Sequence, residues 1–265
     1  MRVTTRLYKS TVFGVSAMLT AFAFTSGLGV ASALATTKMS TDSMTKTSTE
    51  SVFCTNLPSR AAAVNSKLSN LQTNITAAQQ KRLTTLQSNW TSFGTKLTNL
   101  QSQWQQDRNT QYAKLTSLAT TTAEKTAVST FETTVNAAIA TRESNNAAAR
   151  TTYQTNVTAA ANAEGASVMS QSQTLVTNVN NAVSMAEAAC TAGTESATTI
   201  QTNFMSAMTT ARQAYQTSVK GDQTTFQSSV KSLHATESST INHNDSVFET
   251  ALQNAGTALK AAFTS

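Results

Sequence analysis

Turn-forming residues are scarce in this chain. Its 265 residues include one proline, Pro58, and eight glycines, of which five follow residue 35. A β-sandwich or an α/β enzyme of this size needs many more turn residues. Alanine, glutamine, leucine and methionine, which tolerate helices well, are plentiful. The scarcity of helix breakers therefore predicts an all-α protein.

Residues that carry catalysis or bind metals are also few. The only histidines, His234 and His243, are nine residues apart, and no cysteine or paired carboxylates lie near them in the sequence. Metal sites and acid–base pairs need converging side chains, and phosphate loops need glycine-rich segments. We therefore expect no enzyme activity, no cofactor, no metal and no small-molecule substrate.

The positive charge of the chain is not clustered. Its formal net charge is +6, but after residue 35 only 16 basic and 13 acidic residues remain, a net charge of +3. No basic residue occurs between Thr151 and Ala211. Nucleic-acid binding needs clustered lysine and arginine, so a nucleic-acid partner is not expected.

The first 35 residues have the layout of a secretory signal peptide. Arg2, Arg6 and Lys9 precede an apolar run, which closes with Ala33-Leu34-Ala35. An uncleaved membrane anchor is the alternative, because the run is long enough to span a bilayer. We expect cleavage after Ala35, an extracytoplasmic location (periplasmic, cell-surface or secreted), and no later membrane span.

Residues 36–53 are rich in serine and threonine and are expected to form a disordered linker. The only two cysteines, Cys54 and Cys190, follow it. In an exported chain an even cysteine number favours an internal disulfide. Two free thiols, or a disulfide to another molecule, are the alternatives.

Three long helices are expected between residue 58 and the C-terminus, at about 58–119, 122–190 and 194–264. Pro58 suits a first helical turn. Thr121 and Glu124 have the spacing of a capping box, and Gly193 offers a left-handed stop. Segments of similar length with short turns predict an elongated up-down-up bundle with coiled-coil-like packing over residues 54–265. Each segment would span roughly 95–105 Å.

An apolar heptad seam runs from Leu83 to Trp104. We expect the aromatic residues on the helical faces to pack in the core: Trp90, Phe93, Trp104, Phe131, Phe204 and Phe248. The 50 threonines and 31 serines make each helix weak alone, so packing must hold it. Gly165 is a possible kink in the second helix. Gly221 and Asn244 are possible breaks in the third, and a second capping box at Ser246–Glu249 would suit a restart.

Several features together resemble a known group of proteins. They are Cys54, the leucine and tryptophan heptads, the run Ala188–Gly193, Phe204 and the run Ala211–Tyr215. In these the chain is similar to uncharacterised exported helical coiled-coil proteins of small-genome candidate-phylum bacteria. The resemblance implies an extracytoplasmic setting and brings no mechanism.

Three functions are compatible with these features. The first is a non-enzymatic structural or interaction protein, a helical rod acting as a spacer, tether or adhesive surface component, with a protein partner or self-association through its helical faces. The second is a periplasmic holdase-type chaperone, which needs a cationic, partly apolar cavity. The third is a helical pore-forming protein, which needs a strongly apolar hairpin that no segment after residue 35 supplies.

Overall fold

The computed structural model describes residues 49–264, which form three long α-helices. They are α1 (Thr49–Leu118), α2 (Thr122–Ala192) and α3 (Ala197–Ala262). No strand occurs in this described part of the chain. The predicted all-α class with three long helices is confirmed. The signal peptide predicted for residues 1–35, and residues 36–48 of the predicted linker, lie outside the described residues. The end of that linker, residues 49–53, is helical instead of disordered, because the burial of Phe53 in the core extends the helix.

Contacts between neighbouring helices show that consecutive helices run antiparallel. Between α1 and α2, Cys54 is joined to Cys190 and Gln79 bonds to Ala161. Between α2 and α3, Arg142 contacts Asp245, and Tyr153 contacts His234. In both helix pairs, the contact that lies later in the first helix lies earlier in the second. This is the pattern that antiparallel neighbours in an up-down-up order require.

Helix α1 begins at Thr49 and therefore includes Pro58, which was expected to mark its first turn. A proline inside a helix removes one backbone hydrogen bond and crowds the carbonyl four residues earlier. The turn ahead of Pro58 is nevertheless anchored, because Phe53 and Leu57 are buried and Cys54 is covalently bound to α2. Tertiary packing outweighs the local preference of proline.

The ends of the helices are capped as their sequences indicate. Thr121 and Glu124 form the predicted capping box, in which each side chain accepts a hydrogen bond from the other residue's backbone N–H. Those backbone bonds hold the pKa of Glu124 below its usual value. Gly193 has φ +63° and donates to the carbonyl of Ala189, the predicted left-handed stop. Ser196 caps α3 through the N–H of Thr199.

Tertiary contacts divide the described residues into two compact units. We call residues 86–157 and 230–264 the turn unit, because it contains the α1–α2 turn. Residues 49–85 and 158–229 form the disulfide unit. Each unit contains one segment of every helix, so each is a small three-helix assembly with its own core.

The core of the turn unit lies close to the α1–α2 turn. It consists of a cluster of buried apolar residues from all three helices, among them Tyr112, Phe131, Val135, Ile139, Phe248 and Leu259. Tyr112 meets Phe131 edge to face at 6.2 Å between ring centroids, and its hydroxyl donates to the side-chain carbonyl of Asn136. This aromatic contact ties α1 to α2 beside their connection.

The disulfide unit has two apolar clusters. The first surrounds the disulfide and includes Phe53, Leu57, Ala182, Ala186, Ile200 and Phe204. The second lies further along the helices and includes Leu68, Leu71, Ile75, Val168, Leu175 and Tyr215. In the first cluster α2 contributes the small residues Ala182 and Ala186, and larger side chains of α1 and α3 pack against them.

The aromatic residues expected in the core fall into two groups. Phe131, Phe204 and Phe248 are buried in the clusters just described. Trp90, Phe93 and Trp104 are only half-buried and belong to none of these clusters. Alongside the core of their unit, α2 and α3 bury polar residues, so no continuous apolar interior is available to enclose the three rings completely.

Exposed threonines along all three helices bond back to their own helix. Thr84, Thr130 and Thr240, for example, each donate the side-chain hydroxyl to the carbonyl four residues earlier, at 3.0 Å. Such bonds satisfy the hydroxyl locally but contribute little stability to the helix. Packing between helices must therefore supply most of the stability, as the composition predicts.

The positions that were expected to interrupt α2 and α3 do not do so. Helix α3 continues through Gly221, Asn244 and Ser246. Helix α2 continues through Gly165. The missing side chain at Gly165 leaves space for the side chain of Gln79. A Cβ at Gly165 would lie 2.4 Å from the side chain of Gln79. That side chain donates to the carbonyl of Ala161 at 2.8 Å, the same carbonyl that accepts the helical bond from residue 165.

We predict that Gly165→Ala destabilises the protein by about 1–2 kcal/mol relative to Gly94→Ala, because it displaces the Gln79 amide from a partly buried hydrogen bond. A Cβ added at Gly94 would meet nothing within 4 Å beyond its own helix, so Gly94→Ala should stabilise by about 0.5–1 kcal/mol. Thermal or denaturant unfolding measures both. In a Gln79→Ala background, Gly165→Ala should become stabilising; the same penalty in both backgrounds would contradict the packing role of Gln79.

Candidate functional site

The predicted disulfide between Cys54 and Cys190 is present. Their Cα atoms are 5.6 Å apart across 136 residues of sequence, and the described part of the chain contains no free cysteine. Both cysteines are half-buried against the apolar cluster of Phe53 and Phe204, whose rings are 6.0 Å apart. The bond therefore fixes the start of α1 to the end of α2 beside a packed core.

The turn unit has a polar interior between α2 and α3. The Nε of Arg142 donates to Asp245 at 2.6 Å, and the guanidinium lies 5.1 Å from the ring centroid of Phe248. Asn244 donates its side-chain N–H to the carbonyl oxygen of Asn146 at 2.8 Å. Both asparagines are buried. A buried amide pair costs free energy unless each partner is satisfied, so these bonds favour one register.

Arg150 and Glu237 also belong to this polar interior. The two residues are 9% and 4% exposed, and the Oε2 atom of Glu237 has no hydrogen-bond partner among the described residues. Burial raises the pKa of Glu237 to about 7, although the charge of Arg150 acts in the opposite direction. Burial likewise lowers the pKa of Arg150, while Glu237 opposes that shift. The charge of Glu237 therefore changes near neutral pH.

A cavity of about 360 Å³ opens beside Glu237. Polar and apolar side chains of α2 and α3 line it, including Asn145, Tyr153, Asn156, Leu233 and Thr236. Tyr153 packs edge to face on His234 at 6.2 Å. Burial raises the pKa of Tyr153, and the carboxylate of Glu237 adds to the effect.

The disulfide unit contains a comparable charged contact that joins all three helices. Arg82 of α1 pairs with the buried Glu164 of α2, and its guanidinium lies 3.9 Å from the ring centroid of Phe226 on α3. Ser167 also donates to Asp222, joining α2 to α3 at 2.7 Å. A cation stacked on an aromatic face and paired with a carboxylate is held in one geometry.

A groove on the disulfide unit combines apolar walls with positive charge. It has a volume of about 140 Å³ and lies between α1 and α3, with Leu175 and Val179 of α2 also lining it. Val64, Met205 and Met208 are half-buried in it. Its lining includes three cationic residues and no acidic one: Arg60, Lys67 and Arg212. We call these surfaces together the cationic groove.

The sequence carries a signal for the polar interior, although no catalytic motif marks it. The apolar face of α2 stops at Ile139 and resumes at Tyr153, and this gap is filled at helical spacing by Arg142, Asn146 and Arg150. On α3, Glu237 similarly falls four residues before Ile241 on the same face. A charged or amide residue at a seam position indicates a buried polar contact.

No described group of three histidine, cysteine, aspartate or glutamate residues could hold a metal ion. None of the three helices has an apolar stretch that could cross a membrane, within residues 49–264. Comparison of the chain with family models, with curated proteins and with solved structures gives no match.

We predict that removing the disulfide destabilises the disulfide unit first. In the chain-entropy treatment, closing a loop of this length stabilises by up to about 5 kcal/mol. Hydrogen exchange, with and without reductant, should show faster exchange at Phe53–Leu57 and Ala182–Ala186, with less change at Phe131–Ile139. The Cys54→Ser/Cys190→Ser variant should reproduce this pattern without reductant. Equal acceleration along all three helices would contradict the prediction.

We predict that Glu237 makes the turn unit less stable as the pH rises from about 4.5 to about 7. The folded-state pKa is raised, so over this range the folded state binds more protons than the unfolded state, and the free energy of unfolding falls as pH rises. Glu237→Gln should remove this slope and stabilise the protein at pH 8 by up to about 3 kcal/mol.

Denaturant unfolding across pH 4 to 8 measures the effect of Glu237→Gln. Glu187→Gln, at an exposed position of α2 in the disulfide unit, is the matched control and should keep the pH dependence of the parent chain. If Glu237→Gln also kept it, the buried carboxyl would not be the group responsible.

Proposed function

We propose that this chain is an exported, non-enzymatic structural or interaction protein whose helices act as a spacer, tether or adhesive surface. The observation that carries the proposal is the continuity of three helices of 70, 71 and 66 residues, each of which contributes to both units. In such a chain, packing between the helices fixes the positions of the helix ends, and a spacer needs no active-site loop.

The disulfide supports the export part of this proposal. Disulfides persist in oxidising compartments and are rare where thiols are kept reduced. The bond between Cys54 and Cys190 lies beside packed apolar residues. A structural disulfide is therefore the favoured interpretation, and it fits the signal peptide expected at residues 1–35.

The polar interior supports the structural part of the proposal. Arg142, Asn146 and Asn244 are held by side-chain bonds between α2 and α3, so their polar groups are engaged within the bundle. Arg82 is engaged in the same way by Glu164. Charged groups used for catalysis are more often left available to a substrate in a cleft.

A second candidate, the holdase-type chaperone, is favoured by one observation. It needs a cationic, partly apolar cavity, and the cationic groove of the disulfide unit has that composition. Its volume of about 140 Å³ is small for an unfolded client, which would contact the groove with single side chains. The spacer remains the leading proposal.

Small-angle scattering of the purified exported chain tests the spacer proposal. A spacer built from helices of this length should reach roughly 100 Å, with a radius of gyration of about 30 Å. A compact globule of about 230 residues has a radius of gyration of about 17 Å. Light scattering on the same sample supplies the mass, because end-to-end association would also lengthen the particle. A monomer near the compact value would overturn the proposal.

A further inference from the structure

The two walls of the cationic groove carry charge of one sign. Helix α1 contributes Arg60 and Lys67, and helix α3 contributes Arg212. Between residues 51 and 106 the chain has no acidic residue, and the same holds for residues 196–221. The sequence on each side of the groove is therefore positive over many helical turns, and an anionic group entering the groove meets no nearby carboxylate from either wall.

The interior of the groove is apolar and adaptable. Leu68 and Phe204 are buried at its base, while Met205 and Met208 are half-buried along its side. Methionine side chains adjust to ligands of irregular shape because they are unbranched and polarisable. The one hydroxyl there, on Thr209, donates to the carbonyl of Met205 at 2.8 Å, so it needs no partner from a ligand.

The length of the groove walls suits one extended alkyl chain. Its wall residues run over nine positions on α1 (residues 60–68) and nine on α3 (residues 204–212), which corresponds to roughly 12 Å of helix. One extended alkyl chain fits along this length of the two walls.

We propose that the cationic groove binds a single-chain amphiphile with an anionic head group. The alkyl chain would lie along Val64, Met205 and Met208, and a carboxylate or phosphate head would contact Arg60, Lys67 or Arg212. Arginine binds both head groups through paired N–H donors. This inference stands apart from the spacer proposal, because it concerns a local groove and does not depend on the reach of the helices.

Calorimetric titration of the full exported chain with sodium decanoate, below its micelle concentration, tests the proposal. Decanoate or decyl phosphate should bind saturably with one molecule per chain, and running both tells a carboxylate head from a phosphate head. Acetate and inorganic phosphate, which lack the tail, should bind at least tenfold more weakly. Decyltrimethylammonium, with the same tail and a positive head, should also bind at least tenfold more weakly.

Two matched variants separate groove binding from general charge attraction. Arg212→Gln should weaken decanoate binding roughly tenfold, because it removes a charge-assisted contact. Lys220→Gln removes the same charge from an exposed position further along α3 and should change the affinity less than twofold. Circular dichroism of each variant checks that the helices are intact. Equal weakening by both variants would overturn the proposal.

Methyl NMR spectra locate the bound amphiphile without any substitution. The methyl signals of Met205 and Met208 should shift and saturate with decanoate, whereas that of Met185, which is 73% exposed on α2, should not. Three outcomes would overturn the proposal: equal shifts at all three methionines, tighter binding of the cationic amphiphile, or displacement of decanoate by an equimolar unfolded acidic polypeptide. Light scattering should show the same particle mass before and after binding. If a second copy of the chain occupied the groove, decanoate would displace it and the mass would fall.

The amphiphile experiments and the scattering experiment fail independently. A chain with a radius of gyration near 30 Å that binds neither anionic amphiphile would keep the spacer proposal and reject the groove. A compact chain that binds decanoate at Met205 and Met208 would keep the groove proposal and reject the spacer proposal. The groove also differs from the cavity beside Glu237, which belongs to the other unit and contains no methionine in its lining.

Discussion

Largely buried arginines paired with carboxylates on a neighbouring helix are the interaction on which the helix register depends. Arg82 with Glu164, and Arg142 with Asp245, are placed where a slip of one turn would leave a charge inside the bundle without its partner. Breaking such a pair costs about 3–5 kcal/mol. Alanine, serine and threonine faces are similar from turn to turn, so apolar packing alone would discriminate poorly between registers.

The number of helices, their directions and their connections could be predicted from the sequence because local signals determine them. The capping box at Thr121 and the glycine at position 193 act through their own neighbours. The start of α1 could not be predicted in this way. Pro58 locally favours a helix start, and its effect is outweighed by Phe53 and Leu57, whose burial depends on residues far away in the chain.

Less of the candidate sites could be predicted, and the reason is physical. The seam position of Glu237 indicates a buried contact, but its altered pKa comes from desolvation, which only the packed structure supplies. The aromatic residues show the reverse case. Trp90 and Trp104 follow a regular seam, yet regular spacing specifies a face of the helix and not what lies across from it. The cationic groove is formed by three helices together, although the absence of acidic residues along its α1 and α3 walls is visible in the sequence.

The position of the disulfide also determines which part of the chain is covalently enclosed. The loop between Cys54 and Cys190 contains nearly all of α1 and α2, whereas α3 lies outside it and is attached only through residues 193–196. The bond can close the hairpin of α1 and α2 without any contribution from α3. Helix α3 is therefore the segment that two copies could exchange without breaking a covalent bond, which makes domain swapping topologically accessible to this protein.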